Sequence, residues 1–357
     1  MPRRSTVAPG ELTVANRYIN CLTADGQPRV MDLSQASGPD EWPESVYFRR
    51  VFEVLERIQS DGDFTFYLTN DVQRLPSYGA DVAVIVVGDD HCRIPMYLHK
   101  VAAVFKNCGN RPRLGCHPIR EPSFVNLLSL LVFGRRCLKY LPGLAYYARG
   151  LLSGGRLRFA PLCEIPLGTA NQTIVPMRQF AHRASTLFFA GSVTHAFLPS
   201  RLTAIKDILS PKRAARVAML RNLNAISDRH PNLGVEVSVA ADYSEAIHGD
   251  GRSYSEELMD ARIALVPRGA CPQTFRFFQA MRAGCVVITD VVPAQRFFTG
   301  SPAVRVKSWI DLEDAVQSLL ADPALLEQRH RQALEWWSRY CSEEAVGEYI
   351  AGVLAGA

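Results

Sequence analysis

The chain has 357 residues, 48% of them hydrophobic and 21% charged, and a formal net charge of +5. This length predicts two domains, and this composition is typical of a globular protein. The segment between Glu121 and Glu164 contains no acidic residue and carries +6, so the rest of the chain carries about −1, the difference between +5 and +6. A nearly neutral chain with one basic segment argues against a broadly basic nucleic-acid-binding protein.

The cysteines and the N-terminus give three expectations about chemistry and location. Nine cysteines are scattered without a Cys-x-x-Cys pair, and their odd number indicates reduced thiols. Cys108, Cys116 and His117 are metal-ligand types, but no fourth ligand has a suitable spacing, so we predict no metal site. No apolar run follows Arg3 and Arg4, so we predict no signal peptide.

The first half of the chain alternates between predicted strands and helices. Residues 1–43 are punctuated by glycine and proline and predict a loop with one strand. Helices are predicted over residues 46–58, where apolar residues recur at helical spacing, and over residues 96–105. Strands are predicted over residues 64–68 and 81–87, and the second is almost wholly apolar, as is typical of a parallel strand covered on both faces.

Gly88, Asp89, Asp90 and His91 follow this apolar strand directly. In open α/β sheets, sites form beyond the carboxyl ends of the strands. The two carboxylates and the imidazole are therefore candidates for a general base that removes a proton from a hydroxyl group. The alternative is an ordinary turn, because Gly-Asp-Asp is also turn chemistry.

Residues 124–155 combine apolar, aromatic and basic side chains without an acid. The apolar run over residues 124–133 has ten residues, whereas a transmembrane helix needs about 20. The composition is typical of a segment that lies in a membrane interface. The alternative is a pair of buried helices, separated at Pro142 and Gly143, whose arginines face solvent or a bound anion.

The second half repeats the alternation and predicts a second parallel α/β unit. Its first strand, over residues 187–191, ends in Gly191 and is followed by Ser192. Further strands are predicted over residues 235–239, 263–266, 286–289 and 303–306, and helices over residues 200–210, 212–229, 254–261, 275–283, 311–320, 324–340 and 342–354. The helix over residues 212–229 is predicted to be basic and exposed.

The unit over residues 263–290 is the most informative part of the sequence. A strand leads into a loop with Gly269, Thr274 is a suitable N-cap for the helix, and Gly284 a suitable residue to end it. A glycine-containing loop and a helix N-terminus present backbone N–H groups and a partial positive charge. These features suit a bound phosphate.

Two polar side chains share one face of this helix. Arg276, one turn from the start, adds a forked cation to the anion site, and Gln279 is placed for a sugar hydroxyl. The alternative is a plain strand–helix–strand unit whose arginine is merely solvated.

The same unit resembles the C-terminal signature of the exostosin-type glycosyltransferases, which show Pro-x-Gly, Ser-x-Arg, Glu-Ala and Ala-Gly-Cys in this order and spacing. The matching residues are Pro267-Arg268-Gly269, Thr274-Phe275-Arg276, Gln279-Ala280, Ala283-Gly284-Cys285-Val286 and Asp290. The resemblance covers residues 187–315 and is faint before them. It implies the GT-B fold, with two facing Rossmann-like α/β domains, and sugar transfer from a nucleotide-sugar, usually a UDP-sugar, with inversion at the anomeric carbon.

The resemblance also implies roles for single residues. The implied donor contacts are Gly191, Ser192, Arg201, Arg268, Gly269, Thr274, Arg276 and Gln279. Gln279 replaces the family's Glu, which holds the donor's ribose, and it would bond a hydroxyl as a neutral group. Asp90-His91 is similar to an Asp-His pair in the family's N-terminal half. No metal cofactor is required, because the helix N-terminus and Arg276 would stabilise the departing diphosphate.

We therefore predict an acceptor-side domain over residues 1–180, a nucleotide-sugar-binding domain over residues 181–340, and a helix over residues 341–357 that crosses back to the first domain. The predicted function is sugar transfer to a glycan or lipid-linked glycan in surface polysaccharide or glycoconjugate synthesis. Animal members of the family carry an N-terminal membrane helix that this sequence lacks, which predicts a bacterial cytoplasmic protein. If residues 124–155 contact lipid rather than form buried helices, the protein would be peripheral at the inner face of the cell membrane. A non-catalytic nucleotide- or glycan-binding subunit and a nucleotide-sugar epimerase stay open as alternatives.

Overall fold

The computed structural model describes residues 16–35, 42, 44–59, 62–153, 158–170, 175–193, 210–240, 253–269 and 273–356. Within these residues the chain forms two β-sheets, each packed against helices. Short 3₁₀ helices lie at Phe180–His182, Arg296–Phe298 and Trp309–Asp311.

The first sheet is built from the N-terminal half of the chain. It consists of β1 (Arg17–Asn20), β2 (Arg29–Val30), β3 (Thr65–Thr69), β4 (Gly79–Val86), β5 (Val101–Lys106) and β6 (Leu162–Glu164), and the same half contains α1 (Glu44–Ile58) and α2 (Phe124–Leu152). The strand order is β2-β1-β3-β4-β5-β6. β2 pairs with β1 in the antiparallel sense, and the other pairs are parallel.

Burial on both faces explains the apolar run of β4. Ala83 and Ile85 pack in the cluster that includes the apolar face of α1, whereas Val82 and Val84 pack on the other face with Tyr97. A central parallel strand has no face toward water, so polar residues are absent from its buried part.

The second sheet is built from the C-terminal half, and all its strand pairs are parallel. It consists of β7 (Ser185–Ser192), β8 (Val235–Ala240), β9 (Ala261–Leu265), β10 (Val286–Thr289) and β11 (Val304–Arg305), with α3 (Pro211–Arg229), α4 (Tyr254–Met259), α5 (Phe275–Arg282), α6 (Leu312–Ala321) and α7 (Pro323–Tyr340). The strand order is β11-β10-β9-β7-β8. The predicted α/β class is confirmed, since the structure has two Rossmann-like sheets of mainly parallel strands with a cleft between them.

The last helix, α8 (Glu343–Ala355), packs against α1 of the N-terminal half. Gly347 lies directly over Val54, and the Tyr47 hydroxyl donates to the carbonyl oxygen of Cys341 over 2.7 Å. The C-terminal end of the chain is thereby packed on the side of the first sheet. The predicted domain limits at residues 180 and 340 stay a prediction.

Residues 96–105 do not form the predicted helix. Residues 96–99 form a turn, and β5 begins at Val101. A short apolar run fits a buried helix and a buried strand equally well, and pairing with β4 on one side and β6 on the other decides in favour of the strand.

The segment predicted as two pieces is one helix, α2, with Pro142 inside it. A proline in the interior of a helix removes its own N–H donor and strains one turn, and packing of the rest of the helix outweighs that cost. Gly143 provides part of this packing, because a Cβ there would lie 2.7 Å from Ile94 Cβ. None of the helices in the described residues has the length and hydropathy needed to cross a membrane.

The packing of α8 on α1 predicts that alanine substitutions at two glycines of α8 have opposite effects on stability. Gly347→Ala would place a methyl group 2.6 Å from Val54 Cγ1, and we expect a loss of about 1–3 kcal/mol in the free energy of unfolding. Gly352→Ala is the matched control. Its Cβ would meet nothing within 4 Å, so helix propensity should stabilise the variant by about 0.5–1 kcal/mol. Urea unfolding measures both, and equal effects would contradict this packing.

Candidate active site

A cavity of about 270 Å³, called here the cleft cavity, lies between the two sheets. Its lining comes from Glu44, Gly88, Asp90, Cys108 and Leu167 on the side of the first sheet, and from Gly191, Ser192, Lys212, Arg216, Gly269, Gln273, Thr274, Phe275 and Arg276 on the side of the second. Many of these residues follow the carboxyl ends of strands or begin helices. Parallel α/β sheets form their ligand sites at these positions.

The N-terminus of α5 opens on the cleft cavity. Thr274 has the extended backbone of an N-cap residue (φ −144°, ψ 141°), and its side chain makes no capping hydrogen bond. The helix ends just before Gly284, as predicted, and the φ of 69° at Gly284 is left-handed and therefore favours glycine. The first turn of α5 and the loop residue Gly269 thus form one wall, with the partial positive charge of a helix N-terminus.

Three cationic side chains line the same wall: Lys212, Arg216 and Arg276. The guanidinium carbon of Arg276 lies 3.6 Å from the centroid of the Tyr254 ring. Arg216 is buried and donates to the carbonyl oxygen of Ser192, and Lys212 Nζ donates to the Ser192 hydroxyl over 3.2 Å. Desolvation and the charge of Arg276 lower the pKa of Arg216 to about 10.

The two arginines repel each other in a site from which much of the water is excluded. A bound anion would offset this repulsion, because its negative charge would attract both guanidinium groups. The forked geometry of guanidinium matches phosphate oxygens in particular. This wall of the cleft cavity therefore has the chemistry of a phosphate or diphosphate site.

The opposite wall carries two carboxylates, Asp90 and Glu44. Asp90 opens on the cavity, but the surrounding protein desolvates its carboxylate and raises its pKa, against the opposing effects of the Arg136 charge and the hydrogen bond from Cys108. The Cys108 thiol donates to Asp90 Oδ1 over 3.7 Å. Desolvation also raises the pKa of Glu44. A carboxylate with a raised pKa in a cleft is a candidate general base.

Asp89 points away from the cavity, unlike its neighbour. It is buried and bonded to Lys106 Nζ over 2.8 Å and to Arg93 Nε over 2.9 Å. Burial alone would raise the pKa of Asp89, but the charge of Lys106 and the hydrogen bonds from Lys106 and Arg93 lower it overall. These contacts give Asp89 a structural role, so we do not retain it as a candidate base.

Three further predicted residues lie away from the cavity lining or outside the described residues. His91 is half-buried and is not part of the lining, and desolvation lowers its pKa. Gln279 Nε2 donates to the carbonyl oxygen of Ala170 over 2.8 Å and lines a second cavity of about 140 Å³. Arg201 lies outside the described residues.

Arg268 is buried beside the cavity without lining it. Its Nε donates to Asp290 over 2.6 Å, its Nη1 to Ser129 over 2.6 Å and its Nη2 to Asn126 over 2.9 Å. Asn126 and Ser129 belong to α2, so Arg268 joins the second sheet to a helix of the N-terminal half. Its contacts indicate a positioning role for the loop that contains Gly269.

Sequence reasoning missed the contributions of Lys212 and Arg216. The helix over residues 212–229 was predicted to be exposed, but Arg216 is buried in the cavity wall. Two cations four residues apart near the start of a helix lie on one face and repel, which was an available signal. Glu44, Cys108 and Gln273 gave no signal, because only the tertiary fold brings them to the cavity. No group of three or more acidic, histidine or cysteine side chains in the described ranges has the arrangement of a metal site.

No protein-family model and no curated protein matches the chain. It resembles the GtfA/B complex with 9% identity and a TM-score of 0.40, covering 92% of this chain and 64% of that one. The glycosyltransferase SnogD from Streptomyces nogalater matches with 9% identity and a TM-score of 0.37, over 87% of this chain and 78% of its own. The pneumococcal O-GlcNAc transferase GtfA, in complex with UDP and GlcNAc, matches with 12% identity and a TM-score of 0.36, over 92% of this chain and 65% of its own. The chain thus spans less than two thirds of the GtfA/B and GtfA chains.

The separate environments of Asp89 and Asp90 predict different effects on stability. Asp89→Asn should cost about 3–5 kcal/mol, because it leaves Lys106 buried without its counter-charge. Since the folded-state pKa of Asp89 is lowered, its stabilising contribution is present above the unfolded pKa of about 3.9 and is lost as the pH falls through the lower, folded value.

Asp90→Asn is the matched control for this measurement. The pKa of Asp90 is raised, so its charged form does not stabilise the fold at neutral pH, and the variant should keep or gain stability. Urea unfolding at several pH values measures both variants. Equal losses for the two would contradict the separation of their roles.

Proposed function

We propose that the chain is a glycosyltransferase that moves a sugar from a nucleotide-sugar donor to a hydroxyl group of a glycan acceptor. The observation that carries the proposal is the concentration of Lys212, Arg216 and Arg276 at a helix N-terminus, across a cavity from Asp90. The cationic wall suits the diphosphate of a donor. The carboxylate on the opposite wall suits an acceptor hydroxyl that must lose a proton.

The proposed reaction is a single displacement at the anomeric carbon. The acceptor oxygen attacks this carbon, the bond from the carbon to the phosphate oxygen breaks, and its electron pair leaves with the nucleoside diphosphate. Arg216, Arg276 and the α5 N-terminus would stabilise the charge that develops on the leaving diphosphate. Asp90 would accept the proton of the acceptor hydroxyl, and attack from the opposite face would invert the anomeric configuration.

The same proposal includes four finer assignments, which the sequence motifs support. They are the exostosin-like class, UDP as the nucleotide, inversion at the anomeric carbon, and a role in surface polysaccharide or glycoconjugate synthesis in a bacterial cytoplasm. The proposal gives no donor contact to Gln279, because its side-chain amide bonds to Ala170 and lines a different cavity. A metal is not needed for the proposed charge stabilisation, which the cationic wall would supply.

The first functional prediction concerns nucleotide binding. We expect one of UDP, GDP, CDP, dTDP and ADP to raise the melting temperature, since a ligand at about 100 times its Kd adds roughly 2.7 kcal/mol. We expect binding of that nucleotide to weaken by about tenfold to a hundredfold in Arg216→Ala and in Arg276→Ala, because each substitution removes a charge-assisted hydrogen bond worth about 1.5–3 kcal/mol.

Arg221→Ala is the matched control, because Arg221 is exposed on the same helix as Arg216. Thermal shift and calorimetry measure all four proteins. No stabilisation of the folded wild type by any of the five nucleotides would contradict the donor site.

The second functional prediction concerns the base. Asp90→Asn should lower kcat by about 10²–10⁴ and leave nucleotide affinity unchanged, because the amide cannot accept the proton. In the wild type, activity should fall as the pH falls through the raised pKa of Asp90, since the protonated carboxyl is no longer a base. Asp228→Asn, at an exposed position, controls for the loss of one charge.

Two outcomes of this experiment would change the proposal. An unchanged kcat in the Asp90 variant would move the role of base to another group, and Glu44 is the other carboxylate in the cavity lining. Nucleotide binding by the wild type without transfer or donor hydrolysis would favour the non-catalytic binding subunit.

A further inference from the structure

The outer face of α2 is apolar, although it is exposed. Leu127, Leu131, Leu138 and Leu141 are all exposed, with Leu138 at 69%. Their spacings of 4, 7 and 3 residues place them on one face of the helix. A helix of 29 residues is about 43 Å long, so this leucine row forms an extended apolar surface.

A second row of residues follows the same spacing and flanks the leucines. Arg135, Lys139, Tyr146 and Arg149 are exposed and are again 4, 7 and 3 residues apart. Each lies eight residues after a leucine of the first row, which rotates it by about 80° around the helix. The two rows therefore run side by side, one apolar and one basic with a tyrosine.

The inner face of α2 points toward the site. Asn126 and Ser129 bond Arg268, and the charge of the buried Arg136 acts on Asp90. One helix therefore separates the exposed leucine row from the cleft cavity, and the diameter of a helix is about 10–12 Å.

We propose that α2 binds the protein peripherally to the surface of an anionic lipid bilayer. The leucine row would enter the boundary between head groups and acyl chains, and Arg135, Lys139 and Arg149 would contact lipid phosphates. Tyr146 lies in the basic row, and its amphipathic ring suits the head-group level. Lipid binding does not depend on the proposed sugar transfer.

Charge favours lipid over a second copy of the chain as the occupant of this face. The sequence contains no acidic residue between Glu121 and Glu164, so α2 has no acid of its own to offer the basic row of another copy. Pairing two leucine rows would bring like charges together at the flanks. An anionic bilayer supplies both the apolar layer and the opposite charge.

The test is flotation of the full chain with vesicles of phosphatidylcholine alone or mixed with phosphatidylglycerol. We expect wild-type binding to be at least about tenfold stronger on the anionic vesicles, and to weaken as salt rises above about 0.15 M. The triple variant Arg135→Gln, Lys139→Gln, Arg149→Gln should lose this preference, and Leu131→Gln with Leu138→Gln should lose binding to both vesicles.

The matched control is Arg221→Gln, Lys307→Gln, Arg331→Gln, which removes three exposed charges elsewhere and should bind as the wild type does. Circular dichroism and nucleotide thermal shift show that each variant is folded, so a failure of lipid binding is read separately from a failure of the donor site. The proposal is overturned if folded wild type does not bind anionic vesicles, or if the α2 variants bind as well as the control. It is also overturned if light scattering shows that the wild type is a dimer and the leucine variant is not, while neither the wild type nor this variant binds vesicles.

Discussion

The geometry of the cleft depends on the buried ion pair between Arg268 and Asp290. Asp290 follows β10 and accepts from both the backbone N–H and Nε of Arg268, which fixes the loop after β9 against the neighbouring strand. The remaining guanidinium nitrogens bond Asn126 and Ser129, so one cation connects the second sheet to α2. Because the charge is buried, removal of its partner would leave it uncompensated, at a cost of about 3–5 kcal/mol. Gly269 follows Arg268 directly, and its place in the cavity wall therefore depends on this pair.

A second buried ion pair fixes a loop at the edge of the first sheet in the same way. Lys106, the last residue of β5, is fully buried and bonds Asp89 in the loop after β4. This bond fixes the start of the loop, and the next residue, Asp90, then points into the cleft cavity. The two adjacent carboxylates consequently have pKa values shifted in opposite directions, the first lowered by its cationic partners and the second raised by desolvation. Such a divergence between neighbouring acids distinguishes a structural group from a candidate base.

The sequence predicted those features that depend on local pattern. The apolar run of β4, the helix between Thr274 and Gly284 and the α/β class follow from residue periodicity and helix-end chemistry, and the structure confirms them. The prediction of a helix over residues 96–105 was wrong, because a short apolar run does not distinguish a strand from a helix. The strands that pair with β5 are distant from it in sequence. Which of Asp89 and Asp90 faces the cavity was likewise beyond the sequence, because it depends on Lys106, which lies 17 residues away.

The cationic wall is costly to the fold, and this cost is itself an argument for a ligand. Lys212 and Arg216 are like charges four residues apart, which destabilises a helix by about 0.2–0.5 kcal/mol. Desolvation by burial, and then the charge of Arg276, lower the pKa of Arg216. The surrounding structure offsets part of this cost through two neutral groups, the Ser192 carbonyl and the Tyr254 ring. Natural sequences depart from local preferences of this kind mainly at functional sites.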